Sequence, residues 1–250
     1  MSEPRLAIIG GTGLNRLAAE TRASNRIETP FGRASSMPQI GRVGAHEVIF
    51  LARHGQPHRI APHLINYRAN LWLLRDLGAT AVLATNAVGS IAAAMAPGDL
   101  LLPHQIIDYT WGRLHTYMDQ EPLRHVDFSM PYDAALREQL RVATVELELD
   151  CAVFNAGVYG CTQGPRLESA AEIDRLARDG CDVVGMTGMP EAGLARELGL
   201  PYAAVCLVVN RAAGRSDGPI DEADIVRVAT QGMHRIEMLV MRLVARICSA

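Results

Sequence analysis

Tyr202-Ala203-Ala204-Val205-Cys206-Leu207-Val208-Val209-Asn210-Arg211-Ala212 is an apolar run closed by a carboxamide, a guanidinium and a methyl group. Apolar character without alternation is expected of a strand covered on both faces, and such strands belong to the interior of α/β sheets. In open sheets of that class, ligands sit outside the carboxyl ends of the strands, where Asn210 falls.

The same pattern recurs outward from this run. Residues 6–9, 48–52, 79–85, 99–106, 158–162, 182–187 and 203–210 read as strands. Helical periodicity separates them over 62–77 and 134–149, from Ser169 to near Gly180, from Pro190 to near Leu198, and over about 221–247. Ser169 with Glu172 makes a capping box, and Pro190 suits a first helical turn. The segment 111–133 is aromatic and polar, carries Pro122 and Pro131, and has no clear period. An aperiodic loop of that length is usually a binding loop or a subunit contact. The expectation is one α/β domain spanning 1–250.

Composition excludes several classes. The chain has 250 residues, 49% of them apolar, and a formal net charge of −3. With no basic stripe it does not read as a nucleic-acid binder. No apolar stretch approaches membrane-spanning length, and residues 1–4 do not read as the start of a signal peptide. Cys151, Cys161, Cys181, Cys206 and Cys248 are an odd set without CxxC spacing, mostly in or beside apolar runs, so a reduced cytoplasm is the expected setting.

Several strand ends carry donors or small residues. Gly10-Gly11-Thr12-Gly13 is a glycine-rich turn whose amides and Thr12 hydroxyl suit an anion. It lacks the third glycine of a dinucleotide fingerprint, which counts against a dinucleotide-dependent oxidoreductase. Arg53-His54-Gly55 offers a planar fork for phosphate oxygens and an imidazole as a further donor. Asn86-Ala87-Val88-Gly89-Ser90 and Met186-Thr187-Gly188 place small residues and donors after two further strands. Together these ends describe a phosphate cradle. His54, His58 and His63 lack the carboxylate or cysteine partners of a metal site, and no metal is expected.

Asn210 presents a donor and an acceptor side by side, suited to the O6 and N7 edge of a 6-oxopurine. Glu168 reads either as a first-turn acid favoured by the helix dipole or as an acceptor for the N1–H that a 6-oxopurine has and adenine lacks. No Ser or Cys nucleophile and no pair of catalytic carboxylates stands out, so any chemistry should run by positioning and electrostatics.

The ordered set of these motifs, with Asn66-Tyr67-Arg68-Ala69-Asn70, Pro97-Gly98-Asp99, Gly164-Pro165-Arg166 and Gly185 through Glu191, resembles the trimeric purine nucleoside phosphorylase and methylthioadenosine phosphorylase family. The likeness covers residues 5–245 and is most pronounced to the bacterial branch acting on S-methyl-5'-thioinosine. It implies a mixed, barrel-like central sheet flanked by helices, a homotrimer, and inorganic phosphate as co-substrate without another cofactor. By the resemblance, Thr12, Arg53, His54, Asn86, Ala87 and Thr187 hold phosphate, and Met186 packs on the ribose. Leu167, Glu168, Asn210, Arg211 and Ala212 surround the base, with Asn210 catalytic. Pro62 and His125, the latter from an adjacent subunit, lie near the 5' substituent. Adenine-specific relatives resemble Asp-x-Asp where this chain has Asn210-Arg211-Ala212, and carry threonine at the Asn86 position. The resemblance therefore favours a 6-oxopurine. A general inosine/guanosine phosphorylase is the alternative.

Overall fold

In this computed structural model, residues 5–10, 19–119 and 123–247 are described, the side chains of residues 19 and 20 excepted. In chain order the strands are β1 (Leu6–Gly10), β2 (Ala19–Ala23), β3 (Glu28–Thr29), β4 (Gly32–Arg33), β5 (Gln39–Val43), β6 (His46–Ala52), β7 (Ala81–Ser90), β8 (Leu100–Leu101), β9 (Gln105–Asp108), β10 (Val153–Phe154), β11 (Val158–Cys161), β12 (Val183–Gly185) and β13 (Tyr202–Arg211). The helices are α1 (Tyr67–Asp76), α2 (Ala134–Leu147), α3 (Ala170–Arg178), α4 (Glu191–Glu197) and α5 (Glu222–Ile247).

Eleven of the described strands form one mixed sheet, ordered β10-β8-β13-β7-β1-β6-β5-β2, with β12, β11 and β9 branching from β7. Its centre is parallel: β1 lies between β6 and β7, and β13 pairs β7 from Tyr202↔Val82 to Val208↔Val88. Antiparallel pairs at β5–β6, β2–β5, β13–β8 and β12–β7 make it mixed.

Both faces of the central strands are covered, which is why their sequences do not alternate. Ala203, Val205, Leu207 and Val209 of β13 pack with Ile236, Leu239, Val240 and Leu243 of α5 and with Leu136 and Leu140 of α2. Across the sheet, Ala204 joins Ile9, Leu51 and Val82 against Leu71 and Leu74 of α1 and Leu194 of α4. Each Val, Leu or Ile among them, fully buried, contributes about 1.5–3 kcal/mol. Gly232 lets α5 approach the sheet closely: a Cβ there would lie 2.5 Å from Leu207 Cδ2.

The structure departs from the sequence expectations at defined places. The strand expected over 99–106 is two, β8 and β9, separated by Leu102-Pro103-His104, where proline has no N–H to give the ladder. The strand expected over 79–85 runs on to Ser90, so Asn86 through Ser90 are strand residues rather than a following turn. Their polar, small side chains concealed a segment paired by β13 on one side and β12 on the other. Strands β2 and β5 lie at the sheet's periphery and lack an apolar run. The helix expected over 62–77 is a 3-10 turn, Pro62–Leu64, followed by α1, which Asn66 caps through the Ala69 amide. The Ser169–Glu172 capping box forms as expected. The described part of 111–133 contains neither helix nor strand.

Candidate active site

The register of β13 against β7 slips between Val208 and Asn210, so that Asn210 pairs with Gly89. A bulge of this kind re-aims a side chain beside a site. It places Asn210 over Gly89, where a Cβ would come within 3.3 Å of Asn210 Nδ2. Nδ2 donates one hydrogen bond to Arg211 O at 2.7 Å, which fixes the amide and leaves a second N–H and the oxygen Oδ1 for other partners.

Asn210 faces a cavity of about 270 Å³. Of the residues singled out from sequence, Arg53, His54, Pro62, Ala87, Leu167, Glu168, Met186, Thr187 and Ala212 share its wall. They come from the ends of β6 and β12, the 3-10 turn before α1, the second half of β7, the entry to α3 and the end of β13. Asn86 stands behind Thr187, donating through Nδ2 to Thr187 Oγ1 at 2.8 Å. The Thr187 hydroxyl therefore keeps its own proton for an incoming acceptor. Buried Asn86 Oδ1 has no partner.

Arg53 is not a free fork. It is 2% exposed and bonds Glu191, itself fully buried, bidentately: Nε to Oε2 and Nη2 to Oε1, both at 2.8 Å. Nη1 donates to Thr85 O at 3.0 Å, and Tyr202 donates to Glu191 Oε1 at 2.9 Å. Burial pulls Arg53 toward neutrality, but the attraction and hydrogen bonds of Glu191 outweigh it, so its pKa lies above the ordinary value. Removing one member of such a pair strands the other charge, at about 3–5 kcal/mol.

His54 Nδ1 donates to Ile60 O at 2.8 Å, and its ring stacks on His58 at 4.2 Å. Burial pushes the imidazole down to about 4, against the Ile60 bond, so it is neutral near pH 7. With Nδ1 protonated, Nε2 carries a lone pair. His54 thus offers an acceptor rather than the further donor expected from the sequence.

Glu168 also lines the cavity, and its Oε1 accepts from Thr162 Oγ1 at 2.5 Å. Ile220 and Ile225 line an apolar part of the cavity with Pro62. Arg211 is not brought to the wall, and its Nη1 donates to Ala93 O at 3.3 Å. His125 is exposed and away from this chain's own cavity. Thr12 lies outside the described residues. Among those described, no His, Cys, Asp or Glu cluster is placed to hold a metal ion.

Sequence reasoning missed Glu191, Tyr202 and Arg113. Arg113 is 8% exposed and ties the 111–133 segment to the cavity's supports through Met186 O at 2.9 Å and Gln163 O at 2.8 Å. The available signal was a charged residue inside an otherwise aperiodic loop, and for Glu191 an acid after Pro190 that reads as an ordinary helix start.

These features define an α/β protein with a cavity at the carboxyl ends of its central strands. The chain belongs to the Phosphorylase superfamily, whose model it matches over residues 5–245. It is 53% identical over 242 residues to a probable S-methyl-5'-thioinosine phosphorylase of Pseudomonas syringae pv. tomato, covering 96% of this chain and 98% of the relative. It is 43% identical over 245 residues to the 6-oxopurine nucleoside phosphorylase of Pyrococcus furiosus, covering 95% and 91%. Among solved structures it resembles methylthioadenosine phosphorylase from Schistosoma mansoni in complex with adenine, with TM-score 0.92, 30% identity and 99% and 93% coverage. The dinucleotide-dependent oxidoreductase considered from the first glycine turn gives way to this membership.

Proposed function

We propose that the chain is a pentosyltransferase that phosphorolyses S-methyl-5'-thioinosine to hypoxanthine and 5-methylthioribose 1-phosphate, with inorganic phosphate as co-substrate and no further cofactor. The observation that carries this is one cavity bordered by Asn210 and Glu168, by Arg53, His54 and Thr187, and by apolar Pro62, Ile220 and Ile225. The relative at 53% identity has the same named activity.

As the glycosidic bond stretches, C1' gains oxocarbenium character and the purine gains negative charge. A phosphate oxygen bonds C1' as the C1'–N9 bond breaks, and the proton that hydrogen phosphate loses on becoming an ester would pass through solvent to N7 of the departing base. The free N–H of Asn210 would donate to O6 and its Oδ1 accept from the N7–H so formed, while Glu168 accepts N1–H. Thr187 would donate to phosphate with the Ala87 segment and Thr12. Arg53, held by Glu191, would supply its one uncommitted Nη1–H. His54 Nε2 would accept from a phosphate or ribose hydroxyl. Met186 would pack on the ribose, and Leu167 and Ala212 would bound the base. Acceleration comes from preorganised dipoles and proximity.

The alternative is a general 6-oxopurine nucleoside phosphorylase, the activity named for the relative at 43% identity. The two differ at the 5' position, where a hydroxyl needs a polar partner and a methylthio group an apolar slot. Pro62, Ile220 and Ile225 favour the latter. Turnover of S-methyl-5'-thioinosine, inosine and S-methyl-5'-thioadenosine with phosphate separates these cases. Fastest release of hypoxanthine from the methylthio substrate is expected; a preference for inosine selects the alternative, and a preference for the adenine nucleoside contradicts both.

We further propose a cytoplasmic homotrimer. Trp111, Leu114 and Leu123 are 72%, 65% and 62% exposed on the 111–133 segment, an apolar surface that a neighbouring copy would cover while His125 completes its 5' region. Among the described residues Cys151, Cys161, Cys181 and Cys206 are free thiols, and no helix is long and apolar enough to cross a membrane.

A further inference from the structure

We propose that Thr162 is a positioning residue for base recognition: its hydroxyl holds Glu168 from behind as an acceptor and leaves the other carboxylate oxygen for the N1–H of a 6-oxopurine. The inference deepens the phosphorolysis reading and rests on it.

Thr162 follows β11, and its backbone N–H is fixed to Gly185 O at 2.8 Å. Its Oγ1 lies 2.5 Å from Glu168 Oε1 and 3.3 Å from Gly185 O. A hydroxyl has one proton, and the shorter contact, to a carboxylate, takes it. Among the described residues Glu168 has no other hydrogen-bond partner and no ion pair within 4 Å, although the Arg166 charge acts on it from farther away. The nearby candidate, Arg166, gives its guanidinium to Glu172 at 2.8 and 2.7 Å. Oε2 of Glu168 is thus left without a protein donor.

Glu168 stands between two cavities. It lines the 270 Å³ cavity with Asn210 and also a second one of about 490 Å³, where Thr162 lines the wall. Thr162 is absent from the first wall, so it acts on the base through Glu168 rather than by contact. A 6-aminopurine would require Glu168 to donate to N1. Oε1 would still accept from Thr162, but that hydrogen bond is stronger to an ionised carboxylate than to a neutral carboxyl. The hydroxyl therefore biases the site toward the oxo base.

The test compares wild type with T162V, which keeps the shape and removes the hydroxyl, and T162S, which restores it. T162V is expected to raise KM for S-methyl-5'-thioinosine by about tenfold, the size of one hydrogen bond to a charged group. KM for phosphate should stay within twofold, the preference over S-methyl-5'-thioadenosine should fall, and T162S should recover both values. Thermal unfolding checks that the variants fold; should T162V fail to, T162A is read in its place. Unchanged nucleoside KM and base preference, an equal rise in phosphate KM, or failure of T162S to rescue overturns the proposal. Wild type releasing no base from any purine nucleoside overturns the phosphorolysis reading itself, which the variants alone do not touch.

Discussion

Asn210 owes its position to a single extra residue in β13 and its orientation to the Arg211 carbonyl. An amide there offers both a donor and an acceptor, and Ala212, 2% exposed, offers none. Leaving a buried polar group unpaired costs about 1–3 kcal/mol, so two acceptors restored at these positions should redirect selectivity. The N210D/A212D double variant is expected to shift the kcat/KM ratio toward S-methyl-5'-thioadenosine by at least tenfold; an unmoved ratio contradicts the role given to Asn210. His54 makes a separate prediction about stability. Its folded pKa, about 4, lies below the roughly 6.5 of an unfolded histidine. Between those values the unfolded chain binds a proton that the native chain does not, so His54 erodes stability as pH falls from about 6.5 toward 4. Urea midpoints of wild type and H54N, followed over that range, should show a shallower decline in the variant.

What the sequence disclosed about these residues follows from locality. Asn210, Thr187 and Arg53 end or follow apolar runs, and an apolar run marks its own strand end. Glu191 was not legible because its partner lies 138 positions away, and an acid at a helix start has an ordinary explanation. His54 was legible as a site residue but not as an acceptor, because the Ile60 carbonyl that sets its tautomer is a product of the fold.

Among the elements, the inner strands were readable because burial on both faces leaves a continuous apolar record. The outer ones were not: Ala19–Ala23 reads Ala-Glu-Thr-Arg-Ala, and a solvated edge imposes no such record. The second half of β7 was hidden by its place, since a strand that lines a cavity with Ala87 and Gly89 gives up the large apolar side chains that signal a strand. Gly232 in α5 is the reverse case. Glycine within a helix usually weakens it, yet here it admits Leu207. G232A should lower stability by about 1–3 kcal/mol through overpacking, visible in the denaturation midpoint, with the base preference unaltered. A gain in stability, as helix propensity alone would give, refutes the close approach of α5 to the sheet.

For the molecule as a whole, the parts that line the cavity come from distant points in the chain: the end of β6, the second half of β7, the entry to α3, the end of β12 and the bulge of β13. The mixed sheet gathers them at one rim, and the 111–133 segment is pinned there by Arg113. Family membership accounts for the fold, and the wall of the cavity argues for the substrate. The most direct measurement is a crystal structure with hypoxanthine and phosphate bound. The account predicts the Asn210 amide within hydrogen-bond reach of O6 and N7, Glu168 at N1, and phosphate beside Thr187. A base bound with its O6 and N7 edge turned away from Asn210, or an anion lodged elsewhere, would contradict it.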